Sequence, residues 1–262
     1  MTFATGNSLL TEAPSGRHFA QFHRQADALT DSVFHFLEAG LRRGDSVLII
    51  ATPDHAERLL ARLSANKFHP EALSNSGQLG ILDAGKTMAG FSTDSVPEWG
   101  RFGAALTPVL SRIQPFGRGT RIYSEMASML WQDENTAGAI RLEELWNALA
   151  GTHQFALYCG YTMDTHSERA YASPLEELGR THSDILGTPE DERFGAALDR
   201  ASKEIFGISL SQMAGVSNPD GARRFPSGQR TMLWVKRNLP TSTAQLAERA
   251  RVYYQEPSRH TP

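Results

Sequence analysis

The chain has a single cysteine, Cys159, among 262 residues. One thiol excludes an internal disulfide and any metal site built on two or more thiolates. Cys159 falls within an apolar run, so a buried, inert thiol is expected there rather than a nucleophile. Long hydrophobic runs are also missing. None exceeds five residues, as in Val47–Ala51, against the roughly 20 that span a bilayer. The opening MTFATGNSLLTEAPSG lacks the basic start and apolar core of a secretion signal, so a cytoplasmic protein with no membrane segment is expected. Nor does one charge dominate, with 26 Lys+Arg against 29 Asp+Glu. Residues 191–262 hold 11 Lys/Arg against 7 Asp/Glu, leaving 15 against 22 in residues 1–190. A mildly basic tail on an acidic body is read mainly as solvated surface.

What is present is ordinary globular composition, 40% hydrophobic and 21% charged, enough for one large domain or one domain with an appendage. Residues 1–16 read as a flexible leader. HFAQF opens a first strand, and Leu29, Val33, Phe36, Leu37 and Leu41 then recur at helical spacing. SVLIIA (46–51) is a strand buried on both faces. A helix from Asp54 follows, with Glu57 completing a capping-box pattern. QLGILD (78–83), TRIYS (120–124) and FALYCGY (155–161) are further strands. Pro97 is placed at the start of an intervening helix, and two more stretches, Met126–Trp131 and Asn135–Ala150, read as helical. Strands alternating with helices predict a three-layer α/β domain with a mostly parallel sheet, over residues 17–187. After Gly187, TPEDER reads as a linker, and helices near 193–206, 229–238 and 243–255 form a small all-helical module, 188–262.

Few motifs carry chemistry. Gly80–Thr87 satisfies the phosphate-loop pattern G-x4-G-K-T, in which Lys86 and Thr87 would bind ATP with Mg. Ile81 and Leu82, however, lie in the middle of a strand, and a strand cannot also be the cradle. His55-Ala56-Glu57 lacks the paired cysteines of a zinc deaminase, and neither H-E-x-x-H nor G-x-S-x-G occurs. No catalytic residue and no metal-ligand set is identified, and no cofactor is expected outside the ATP alternative. The remaining candidates are polar residues at the carboxyl ends of strands, where open α/β sheets bind ligands. They are His23, Arg24, Thr52, Asp54, Asp83, Glu125, Tyr161 and Asp164. Glu125, at a strand-to-helix junction, suits ligand binding and helix capping about equally. His18 is read as a structural hydrogen-bonding group. Arg141, Glu143 and Glu144 are read as solvated helix charges.

Taken in order, HFAQFHRQADALTDSVFHFLEAGLRRGDSVLIIATPDHAERLLARL, GQLGILDAGKTM, RIYSEMASMLWQDENTAGAIRLEELWNALAG and FALYCGYTMD resemble the MEDS domain. This is a sensory domain of methanogen and methylotroph regulators, including a dichloromethane-responsive repressor. The resemblance spans residues 17–185. It departs at Ser124, where the family usually has Gly, and at Lys86, near which it usually has an acidic residue. The family in turn looks like a relative of KaiC-type RecA ATPases, with FHRQADALTD (22–31) standing where their phosphate loop would be. The resemblance implies a RecA-like fold without that loop, sensing a small organic signal and coupled to an output module.

The expectation is therefore a non-catalytic signal-transduction protein. It would bind a small molecule near His23, Arg24, Thr52, Asp83, Glu125 and Tyr161, and relay that event through the helical module to a protein partner. DNA is not expected as the partner, because TSTAQLAERARVYY carries only Arg249 and Arg251, too few for a recognition helix. An ATPase-like switch using Gly80–Thr87 and a scaffold with an empty cleft are the alternatives.

Overall fold

The computed structural model describes residues 6–94, 96–113, 119–217 and 224–256. It divides into two compact units. The first comprises residues 1–162 together with 181–183, and the second 163–180 and 184–262. The division therefore departs from the single boundary at 187 expected from the change of rhythm. The chain leaves the first unit after Thr162, returns for three residues, and leaves again.

The first unit is a parallel sheet between helical layers. Strands β1 (His18–His23), β2 (Ser46–Ala51), β3 (Leu79–Asp83), β6 (Thr120–Ser124) and β7 (Ala156–Thr162) stand in the order β3-β2-β6-β7-β1. All their pairings are parallel. Every residue of β1, β2 and β6 is buried, which explains the continuous apolar run of β2 in place of alternation; β1 and β6 bury polar residues as well, among them His18, Gln21, His23 and Arg121. On the edge strand β3, Ile81 is exposed.

Helix α2 (Ala26–Arg43) lies over one face with Leu29, Val33, Phe36, Leu37 and Leu41 buried, and stops at Gly44 in the left-handed conformation (φ 82°). It approaches the sheet closely at Gly40, where a Cβ would sit 2.5 Å from Cδ of Arg121. The Arg121 guanidinium is threaded through that gap. It pairs with Asp45 at 2.9 Å and donates to the carbonyls of Leu10 (2.9 Å), Thr11 (2.9 Å) and Phe36 (3.1 Å). Those contacts fix helix α1 (Gly6–Glu12), in a stretch expected to be a flexible leader. Buried guanidinium N–H groups must find acceptors, and backbone carbonyls of α1 and α2 supply them.

The helices α3 (Pro53–Ala65), α4 (Pro70–Asn75), α5 (Ala84–Phe91), α6 (Trp99–Ile113), α7 (Met126–Gln132) and α8 (Thr136–Ala150) complete the unit. Helix α3 starts at Pro53 after Thr52, without a side-chain cap, so the Asp54/Glu57 capping box does not form. Pro at the first helical position needs no N–H partner and sets the start one residue earlier. Pro97 lies in a short hairpin, β4 (Ser92–Thr93) with β5 (Val96–Pro97), and α6 begins at Trp99.

The second unit holds a 3₁₀ turn (Glu168–Ala172), α9 (Leu175–Thr181), the short strand β8 (Asp184–Leu186), α10 (Pro189–Phe206), α11 (Ser211–Ser217), α12 (Ser227–Asn238) and α13 (Thr243–Gln255). The expected linker TPEDER is the first turn of α10, because Thr188 and Asp191 form a reciprocal capping box. Asp191 is buried and also accepts from Gln229 Nε2 at 2.6 Å. Gly195 and Gly228 let α10 and α12 touch: a Cβ on Gly228 would lie 3.0 Å from the Gly195 Cα. Tyr253 and Tyr254 are engaged within the unit. Tyr254 packs edge-on against His166, which stacks on Phe194 at 3.9 Å, and the Arg200 guanidinium lies 3.7 Å from the Tyr253 ring. Among the described residues, no helix is long and apolar enough to cross a membrane.

Candidate functional site

The chain leaves β2 towards β3 on one side and leaves β6 towards β7 on the other. Their carboxyl ends therefore form a topological switch point, the usual crevice of an open α/β sheet. Glu125 sits there, one residue beyond β6. It is the N-cap residue of α7 by position, yet its side chain caps nothing in that helix. The carboxylate turns across to the start of α3. Oε1 accepts from the backbone N–H of Thr52, and Oε2 lies 2.6 Å from Nδ1 of His55. The Tyr123 hydroxyl donates to Oε2 at 3.4 Å. Burial alone would raise the carboxyl's pKa, but His55 and the Thr52 N–H outweigh it, so Glu125 is held below its ordinary range. The positive end of α3 acts in the same direction. Against Glu125⁻, the Nδ1 of His55 carries the hydrogen, and its other nitrogen, Nε2, is buried with no hydrogen-bond partner among the described residues.

Of the residues expected from the sequence, Thr52 and Glu125 are brought together here. His23 is on the same face of the sheet, buried, 3.2 Å from the Tyr158 hydroxyl and 3.1 Å from Oε1 of Gln21. Burial pushes its pKa down to about 4. Arg24 and Asp54 are exposed. Asp83 caps α5 by accepting from the Lys86 N–H at 3.0 Å. Asp164 belongs to the second unit. Gly80 to Asp83 are extended and paired with β2, and the Lys86 side chain is 88% exposed beside Asp83. The residues of the formal phosphate loop therefore form strand and helix, with Thr87 on α5, and no cradle. A groove of about 970 Å³ runs between α3 and α4, past Pro53, Ala56, Leu60 and Phe68; none of the expected ligand residues lines it.

Tyr161 faces the other way. Its hydroxyl donates to Glu143, which is fully buried and not the solvated helix charge expected. Arg141 and Glu144 do pair in solvent, at 3.0 Å. Glu143 instead meets Nε2 of His18 at 3.1 Å, the Cys159 thiol at 3.3 Å and Nε2 of His182 at 3.5 Å. The histidines hold its carboxyl well below the usual range despite complete burial. Burial and the Glu143 charge push the Cys159 thiol upwards. Sequence reasoning missed this cluster. Its one signal is the periodicity that places position 143 with Ala139, Leu142 and Trp146, all buried.

No curated protein and no solved structure matches the chain. The family described as MEDS, the methanogen/methylotroph, DcmR sensory domain, matches residues 17–183, which include both clusters. With well over half of the 262 residues covered, the chain belongs to the MEDS family of sensory domains.

Proposed function

We propose that this chain is a regulatory, non-catalytic protein whose first unit binds a small organic molecule at the carboxyl edge of β2 and β6. One observation carries the reading. His55 is oriented by an ionised Glu125, and its Nε2 is a buried polar atom with no hydrogen-bond partner among the described residues. Leaving such a group unsatisfied costs about 1–3 kcal/mol, which a ligand hydroxyl or N–H would recover. With the Nδ1 hydrogen of His55 turned to Glu125, Nε2 is the ring atom left to meet a polar group of the ligand. Thr52 contributes through its backbone N–H, which holds Glu125. His23 belongs to the buried network on the same face.

The helical second unit is the proposed output towards a protein partner, and Ile208, Met213 and Val216 are exposed on it. Occupancy would act only by favouring one of two states of that unit.

The test uses the ¹⁵N-labelled full chain and a panel of C1–C4 alcohols and amides. One probe should move the His55 Nε2 resonance saturably, and the effect should vanish in His55→Ala. The same probe should change amide exchange in α10, α12 and α13. If no probe moves the resonance, the reading is wrong. If binding persists in His55→Ala, the site lies elsewhere.

A further inference from the structure

The second cluster supports an inference independent of the first. His18 opens β1, Cys159 lies within β7, Glu143 comes from α8, and His182 lies in the three-residue return of the chain. One donor atom from each falls within 4.8 Å of all the others. Three close pairs measure 3.1 Å (His18 Nε2 to Glu143 Oε2), 3.3 Å (Cys159 Sγ to Glu143 Oε2) and 3.4 Å (His18 Nε2 to Cys159 Sγ). A tetrahedral zinc with bonds of roughly 2.0–2.3 Å sets its donors about 3.3–3.6 Å apart.

Hydrogen positions sharpen the point. The Asn147 amide donates through Nδ2 to the Thr181 carbonyl at 2.7 Å, so its Oδ1, 2.9 Å from the His18 Nδ1, is the acceptor. Neutral His18 therefore carries its hydrogen on Nδ1 and points a bare lone pair from Nε2 at a carboxylate oxygen. Two acceptors at 3.1 Å need a proton or a cation between them. An imidazole fixed from behind by an amide or backbone carbonyl is also the usual outer shell of a metal-bound histidine.

We propose that His18, Glu143, Cys159 and His182 form a closed site for a divalent transition metal of the zinc class. One thiolate and one carboxylate neutralise the dication, and two neutral imidazoles complete the set, so a buried site carries no net charge. Binding releases the Cys159 proton, and any proton held between His18 and Glu143, to solvent. Four protein donors leave no open position, so the metal ties β1, β7, α8 and residues 181–183 together and activates no water. The Tyr161 hydroxyl, donating to Glu143, belongs to the outer shell.

The test is titration of the chelator-treated full chain with Co²⁺ alone at neutral pH. One equivalent should bind, with a thiolate-to-cobalt band in the near ultraviolet and intense tetrahedral absorption in the visible, and Zn²⁺ should displace it. Cys159→Ser should lose the near-ultraviolet band. Asn147→Leu, which removes none of the four ligands but frees His18 Nδ1 from its acceptor, should keep the band and weaken affinity by about 10–100-fold. Should Cys159→Ser fail to fold, X-ray absorption of the zinc-loaded wild type decides, with one sulfur expected at about 2.3 Å. Absence of cobalt binding, or a bound metal with no sulfur neighbour, overturns the proposal. Either failure leaves the Glu125 site untouched.

Discussion

Two buried carboxylates sit on opposite faces of one sheet, and they are kept ionised by different means. Glu125 lies at a strand end and is held by a backbone N–H, one histidine and the start of a helix. Glu143 lies on a helix, has no exposure at all, and is held only by side chains, from His18, Cys159, Tyr161 and His182. The first arrangement is largely built by backbone that must be there for the fold to exist. The second needs four side chains from three further segments to converge. Among the described residues the Glu125 network still has an unanswered nitrogen, whereas the donors around Glu143 converge on one another.

The contrast can be broken most forcefully at Glu143. Glu143→Ala strands several buried donors, and the loss of one member of a buried ionic group costs about 3–5 kcal/mol. Glu125→Ala should cost about 1–3 kcal/mol, because it chiefly exposes one N–H and one imidazole. Denaturant unfolding of both variants should rank them in that order, and equal losses would erase the distinction.

His23 sharpens the comparison through pH. Its folded-state pKa of about 4 lies below the ordinary 6.5, so the unfolded chain takes up the proton first. The stability from neutral His23 is therefore complete above pH 6.5 and is lost as pH falls from 6.5 towards 4. The loss is on the order of 3 kcal/mol. Urea midpoints across that window should fall, and His23→Gln should flatten the fall. The smallest effect is expected at Lys86. Its charge is solvated beside Asp83, so Lys86→Ala should shift stability by less than about 0.5 kcal/mol. It should also leave the melting temperature unresponsive to ATP with Mg.

The same contrast explains what could be read from residue order. β2 and β7 announce themselves as largely apolar runs, and Glu125 stands where a strand becomes a helix, so both were legible. Glu143 sits between Leu142 and Glu144, with Arg141 close by, and looks like part of a charged helix surface. Only the buried stripe of α8 separates it from Glu144, and no local pattern announces that His18, Cys159 and His182 lie opposite. Helix α1 was hidden for a similar reason: its anchor is Arg121, about 110 residues away. The start of α10 was obscured by its acidic first turn, which reads as a linker until Thr188 and Asp191 are seen to cap each other.

The brief return of the chain at residues 181–183 has a consequence for biosynthesis. His18 and its neighbours on β1 emerge early from the ribosome, but the last donor of their cluster follows 18 residues assigned to the other unit. At about 5–20 residues per second, that intervening stretch takes on the order of a second to make. Until His182 arrives, Glu143 and Cys159 must wait in an unfinished wall of the sheet. Ser183 then fastens the arrival, exchanging backbone and hydroxyl hydrogen bonds with His18 at 2.8–2.9 Å. The order of synthesis makes closure of this face a late event, set by the length of the chain between Thr162 and Thr181.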